Sequence, residues 1–397
     1  MNYFNLKFSY SIEKFADRFL NRLNYGSVKV IYPSGKVSRY IGKYPGYDAN
    51  IHIFNFKVFS KIFKKGPVGF GESYIDGDFT TSNLTILLLF ASQNEKNFLK
   101  NFRSNWLYHT YIKFRHYLRE NTKTQSKKNI KFHYDLGNDF YTKWLDESMT
   151  YSSALFTQDK DNLKEAQLKK YKEIADTLNM DNNSTFLEIG CGWGGFTTYI
   201  AKTFDCKVDA ITISKEQFDY TSKKIQQEGL AEKVKVTMQD YRDISKKYSR
   251  IASIEMFEAV GKKYWPTFFN IIKNSLIHNG RSALQIITID EEKVLNYQSE
   301  PDFIQQYIFP GGMLPSKPQL HEITKQVGLK LNEYNSFKQS YAKTLNLWNK
   351  QFQLSWNELS NMGFNLRFKR MWEYYFSYCE TGFLTGSTDV SHFVLQK

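Results

Sequence analysis

Short apolar blocks alternate with stretches in which apolar residues return every three or four positions, and this alternation runs through the second half of the chain. Residues 185–189, 206–212, 234–238, 251–255 and 281–289 read as buried strands. The intervening residues 196–203 and 264–278 read as helices, with a further short helix around 301–307. Leu163, Ala166, Tyr171, Ile174, Ala175 and Leu178 fall near helical spacing, so residues 162–179 predict a helix packed on the sheet. A helix at 316–327, a strand at 330–336, two long helices around 341–359 and 364–379, and a closing strand at 388–395 complete the pattern. Seven strands alternating with helices predict an α/β protein with a mostly parallel sheet.

The first third reads differently. A helix at 11–24 places Phe15, Phe19 and Leu20 on one face and Lys14, Arg18 and Arg22 on another. Strands at 28–32 and 38–44 flank a turn at Pro33, Ser34 and Gly35. Phe54, Phe56, Phe59, Phe63 and Phe70 are interleaved with Lys57, Lys61, Lys64 and Lys65. These features predict a small mixed α/β domain over 1–100. A basic helical linker over 101–130 follows, ending in a flexible tether at 121–128, with a second, larger domain over 131–397.

Charge sharpens this division. Residues 1–131 hold 22 Lys and Arg against 8 Asp and Glu, and the remaining residues hold 32 against 32. The whole formal excess of +14 therefore lies in the first third, which points to an anionic partner, either phosphate headgroups or nucleic acid. Aromatic rings beside lysines favour a membrane surface. Three cysteines (Cys191, Cys206 and Cys379) make no disulfide framework, so a reducing cytoplasm is expected. No apolar run approaches the ~18 residues of a membrane span, and no signal peptide is read.

Candidate chemistry begins at 185–195, Thr-Phe-Leu-Glu-Ile-Gly-Cys-Gly-Trp-Gly-Gly. Glycines after a buried strand let the backbone approach a ligand that any Cβ would push away. The G-x-G-x-G-G spacing differs from the dinucleotide G-x-G-x-x-G. Glu188, just before the first glycine, would repel a pyrophosphate but could hold an ammonium. That favours S-adenosylmethionine (SAM), whose tail is an amino acid, over NAD, and the stretch resembles the class I (Rossmann-like) methyltransferases.

Three further segments carry a closer resemblance: Gly71-Glu-Ser-Tyr-Ile-Asp-Gly-Asp-Phe79, His133-Tyr-Asp-Leu-Gly-Asn-Asp-Phe-Tyr141 with Tyr151-Ser-Ser-Ala154, and Ile308-Phe-Pro-Gly-Gly-Met-Leu-Pro315. They are similar to signatures of the cyclopropane fatty acid synthases, and they span both halves of the chain. The resemblance implies SAM-dependent C-methylation of the cis double bond of unsaturated acyl chains in membrane phospholipids. The expected enzyme is cytoplasmic and peripheral to the inner face of the membrane, and a homodimer is compatible with it. Tyr151, Ser152, Glu188, Gly190, Gly192, Trp193, Gly194, Thr212, Gln217, Asp240 and Tyr241 are implied to bind SAM, with Asp240 and Tyr241 at the adenine. The 308–315 loop is implied to line the acyl-chain side, and no metal is implied.

A double bond is a weak nucleophile, so catalysis must come from positioning and from stabilising positive charge. Tyr151, Trp193, Tyr307 and Tyr341 are candidates for the latter, through their ring faces. Cyclopropane synthases resemble one another in using a bound bicarbonate as base. Carried over, its glutamate is Glu258 and its tyrosine is Tyr341, while Ser153 stands at the cysteine and Gln285 at the histidine. A second cysteine of the family falls on Cys379. Ser153 and Gln285 carry no charge, which implies a weakened bicarbonate site. Either a cyclopropane forms through neutral donors, or a different base gives a methyl-branched or methylated unsaturated chain. A non-catalytic lipid- or SAM-binding protein and a nucleic-acid methyltransferase are the rival classes. The intact glycine turn argues against the first, and the lipid-family signatures argue against the second.

Overall fold

The computed structural model describes residues 13–96 and 121–397, apart from Phe15, Phe19, Asp135 and Asp159. The expected 11–24 helix and most of the expected linker lie partly or wholly outside them. The chain forms two compact units, one of Met1–Phe114 with Trp356–Thr385, the other of Arg115–Ser355 with Gly386–Lys397. Residues 356–385, which the sequence pattern groups with the larger domain, thus belong with the N-terminal region.

The first unit holds a four-stranded sheet of β1 (Tyr25–Ile31), β2 (Val37–Ile41), β3 (Tyr44–Ile53) and β4 (Phe79–Thr80), in the order β2-β1-β3-β4. β3 is illegible locally because Pro45, Gly46, Asp48 and Asn50 read as turn residues; pairing with β1 and β4 makes it a strand. The helix Lys57–Ile75 kinks at Gly66, where φ is +57°, next to Pro67. Its aromatic stripe divides. Phe56, Phe59 and Phe70 pack on the core of Val28, Val30, Tyr32 and Phe79, whereas Phe54 and Phe63 are 54% and 59% exposed.

The 71–79 signature is an ion-pair clamp. Glu72 accepts from Lys65 Nζ at 2.7 Å, Asp76 from Lys61 at 2.7 Å and Arg367 at 3.1 Å, and Asp78 from Lys61 at 2.6 Å. Tyr74 Oη donates to Glu373 at 2.9 Å. Arg367 and Glu373 lie in or beside the helix Leu366–Thr385, which explains why that helix joins this unit.

The second unit holds the seven-stranded sheet: β5 (Thr185–Ile189), β6 (Lys207–Thr212), β7 (Val234–Met238), β8 (Tyr248–Ile254), β9 (Leu276–Ile289), β10 (Lys330–Ser336) and β11 (Thr388–Gln396). Its order is β10-β11-β9-β8-β5-β6-β7. All neighbours are parallel except β11, which is antiparallel to β9 and β10. This is the Rossmann-like α/β fold of class I methyltransferases. One face is covered by Phe268, Phe269, Ile272 and Leu320, the other by Ile174, Leu178, Phe196 and Ile200. β9 begins at Leu276, inside the expected 264–278 helix, which ends at Ser275.

Residues 121–128 are not a tether. They open the helix Lys123–Tyr134, anchored by the buried Asn121. Its Nδ2 donates to Gly311 O at 2.8 Å, and Asn129 Nδ2 donates to its Oδ1 at 2.8 Å. Polar composition hid two buried asparagines whose side chains are hydrogen-bonded inside the protein.

Candidate active site

β5 is buried through Phe186, Leu187 and Ile189, so it delivers the glycine turn to the carboxyl edge of the sheet, where open α/β sheets bind ligands. Gly190 has φ +84°, and a Cβ there would lie 2.8 Å from Met256 Cγ. Gly192 has φ +53° and faces open space, with nothing within 4 Å of a Cβ position. A bare backbone facing open space at this point fits a nucleoside ligand. Trp193 closes one side, its Nε1 donating to Asn138 Oδ1 at 2.6 Å. Gly194 caps the helix Gly195–Thr203.

Glu188 accepts from Thr197 Oγ1 of that helix, and burial pushes its carboxyl up to about 8. An adjacent ammonium would offset this and restore the charge. At the end of β6, Thr212 Oγ1 donates to Gln217 Oε1 at 2.9 Å, joining the two residues expected at the ribose. After β7, Asp240 binds Arg242 through both carboxylate oxygens, at 2.8 Å from Nε and 2.7 Å from Nη2. Burial raises the Asp240 carboxyl, but the Arg242 hydrogen bonds outweigh it and hold the carboxyl below its ordinary value. The Arg242 guanidinium lies 5.3 Å from the Tyr241 ring centre, so one face of that ring is already engaged.

From Trp193 a run of rings crosses the unit. Its ring centre is 4.8 Å from Tyr141, which is 5.7 Å from Tyr151. Tyr151 is 5.3 Å from Trp348 and stacks on Phe309 at 6.4 Å. Trp348 meets Tyr341 edge-on at 6.4 Å. The run ends on a carboxylate, because Tyr341 Oη donates to Glu255 Oε2 at 2.5 Å. Glu255 Oε1 accepts from Ser153 N at 2.8 Å and from Gln285 Nε2 at 2.6 Å. Burial raises the Glu255 carboxyl above its ordinary value, against the pull of these donors and of Lys170.

Ser153, Gln285 and Tyr341 therefore converge, but on Glu255 and not on Glu258. Glu258 Oε1 instead accepts from Ile287 N at 2.6 Å. Its Oε2 has no hydrogen-bond partner among the described residues. Burial first, and then the neighbouring Glu255 charge, push the Glu258 carboxyl up to about 8, so at neutral pH it is largely an acid. The 308–315 loop brackets it, Met313 N donating to Glu258 O at 2.8 Å.

Residues 121–393 match the family described as mycolic acid cyclopropane synthetase. The chain belongs to the mycolic acid cyclopropane synthetase family. It is 34% identical over 344 residues to the tuberculostearic acid methyltransferase UfaA1 of Mycobacterium tuberculosis, covering 84% of this chain and 80% of that one. It is 35% identical over 347 residues to the cyclopropane-fatty-acyl-phospholipid synthase of Escherichia coli K12, covering 84% of each. Among solved structures, mycolic acid cyclopropane synthase CmaA1 complexed with SAH and CTAB has a TM-score of 0.64 at 30% identity, covering 68% of this chain and 98% of that one. This member of the cyclopropane synthetase family is thus a SAM-dependent methyltransferase.

Two expected residues are not part of the hydrogen-bonded cluster around Glu255. Cys379 lies in the helix Leu366–Thr385 of the first unit, whereas the residues around Glu255 belong to the second. Tyr307 stacks on Phe303 at 5.2 Å. Four residues escaped the sequence pattern. Arg242 and Asn121 looked like surface polar residues, and Lys170 like one of several lysines on a helix. Lys170 is fully buried, its Nζ donating to Ser152 Oγ at 2.8 Å. Glu255 carried one signal, a charge closing the fourth parallel strand, where ligands gather.

Proposed function

We propose that this protein C-methylates the cis double bond of unsaturated acyl chains in membrane phospholipids. The observation that carries this reading is the run of rings from the glycine turn to a hydrogen-bonded carboxylate. When bound, SAM supplies an electrophilic methyl group. Trp193, Tyr151 and Tyr341 give ring faces that favour positive charge by on the order of 1 kcal/mol each, more in a dry site. The acyl chain is positioned by the 308–315 loop, with Phe309 stacked on Tyr151. The carboxylate end is where a proton can be taken.

The basic first unit suits anionic headgroups. Phe54 and Phe63 are exposed beside the exposed Lys57 and Lys64, a combination that inserts rings while ammonium groups reach phosphate. A cyclopropane is the first product to look for, the outcome in the E. coli relative's name. A methylated unsaturated or methyl-branched chain is the second reading, favoured by Glu255 lying where the donors of Ser153, Gln285 and Tyr341 meet. Incubation with SAM and vesicles of cis-unsaturated phospholipid tests both. Transfer of the methyl group to the acyl chain is expected, and upfield ring-methylene signals in the proton NMR spectrum separate a cyclopropane from the alternative. Transfer to RNA but not to lipid would sink the proposal.

A further inference from the structure

Glu255 is an unusual residue for its position. Its φ of +49° lies in the left-handed region, which a residue with a long side chain rarely occupies. The backbone is held there by Glu255 N donating to Gln285 O at 2.9 Å. Strain carried by a charged residue at the carboxyl end of a parallel strand points to use of the side chain.

The carboxylate is held by neutral donors on both oxygens, the Ser153 amide and the Gln285 amide on Oε1 and the Tyr341 hydroxyl on Oε2. The orientation of Gln285 is fixed in turn. Burial pushes His392 down to about 3, so its ring is neutral at working pH, and its Nε2 lies 3.1 Å from Gln285 Oε1. Nε2–H donating there leaves the Gln285 NH2 for Glu255. Lys170, whose Nζ donates to Ser152 Oγ next to Ser153, holds the Glu255 carboxyl down when protonated, although burial pushes its own amine down to about 7.

A bicarbonate held by Ser153, Gln285 and Tyr341 would need these same donors. A carboxylate and a bicarbonate present the same planar O–C–O edge, and here the side chain already occupies the donors. The residues present do not fit a second anion.

We propose that the Glu255 carboxylate is the resident base of this enzyme, taking the proton that a bound bicarbonate would otherwise take. The inference rests on the lipid methylation proposed above. The π pair of the double bond forms the new bond to the methyl carbon, and the carbon–sulfur pair stays on sulfur. The neighbouring acyl carbon is left cationic. Glu255 takes one proton from the methylated segment, and the freed C–H pair closes a ring or forms a new double bond. The resulting carboxylic acid returns its proton to solvent on product release.

The test uses the full chain, SAM and vesicles of dioleoyl phosphatidylglycerol, in CO2-free buffer and with added bicarbonate. Wild-type methyl transfer is expected to agree between the two buffers. Glu255→Gln is expected to lose about a hundredfold or more of turnover while SAM affinity by calorimetry is retained. Glu255→Gly, which suits the left-handed backbone and empties the donors, is expected to be as slow without bicarbonate and to recover at least about tenfold with it. A wild type that stalls without bicarbonate overturns the inference but leaves lipid methylation standing. So does a Glu255→Gln enzyme that keeps its rate, or a Glu255→Gly enzyme that bicarbonate does not rescue. A wild type that methylates no vesicle in either buffer overturns the proposed function, and this inference with it.

Discussion

The glycine turn and the cradle of Glu255 are built in opposite ways. The turn is six consecutive residues, 190–195, and its geometry follows from one strand and one helix. The cradle draws on residues 153, 255, 285 and 341, from a loop, the end of β8, the interior of β9 and a long helix. A local device can be read from spacing, because the chain neighbours are the spatial neighbours. A convergent one cannot, because a shift of three residues, from Glu258 to Glu255, changes which carboxylate meets the donors. The two regions should also fail differently under mutation: the turn through cofactor affinity, the cradle through turnover.

The largest effect sharpens that contrast. Glu255→Gln should lower turnover by about a hundredfold or more with SAM affinity intact, as measured by methyl transfer beside calorimetry. Gly192→Val places a β-branched residue at φ +53°. Strain of about 1–3 kcal/mol predicts SAM binding weaker by roughly five- to a hundredfold, and a variant that instead lost only turnover would break the distinction. Tyr341→Phe removes one hydrogen bond to a charged acceptor, expected to cost about 1.5–3 kcal/mol, and should slow turnover about tenfold or more without moving SAM affinity.

A pH profile makes a finer test. Glu255 must be ionised to take a proton, and its carboxyl lies above the ordinary carboxylate value. Activity should therefore fall as pH drops through that raised value, at higher pH than an ordinary glutamate would give. The groups facing Glu255 are Glu258 from the turn after β8, Lys170 from the helix Leu163–Leu178, Tyr341 from the helix Lys338–Leu354, and Ser153 and Gln285. His392 on β11 lies behind Gln285 and is neutral. Lys170 lowers the Glu255 value, so Lys170→Met should move the acid limb to higher pH. A limb that stays put would remove Lys170 from the account. The smallest expected effect is at Cys379: Cys379→Ser should keep turnover within about twofold, as for a cysteine that serves as a small apolar residue, and a large loss would support the catalytic role that the resemblance implies.

Much of this protein was written in the order of its residues. Apolar periodicity fixed the alternating strands and helices of the large sheet, since burying one face imposes a period of 2 or 3.6. The glycines marked the open turn after β5, since only glycine leaves the backbone bare at Gly192. The strand end at Thr212 was legible too, and its hydroxyl meets Gln217 there. Tertiary structure decided the rest. β3 became a strand only through its partners, and the 71–79 signature proved to be a clamp holding the helix Leu366–Thr385, drawing Cys379 into the first unit. Asn121 turned a supposed tether into an anchored helix. Above all, the folded chain chose Glu255 over Glu258. The resemblance pointed to Glu258 and the strand end to Glu255; only the approach of Ser153, Gln285 and Tyr341 from distant parts of the chain gives Glu255 its three donors.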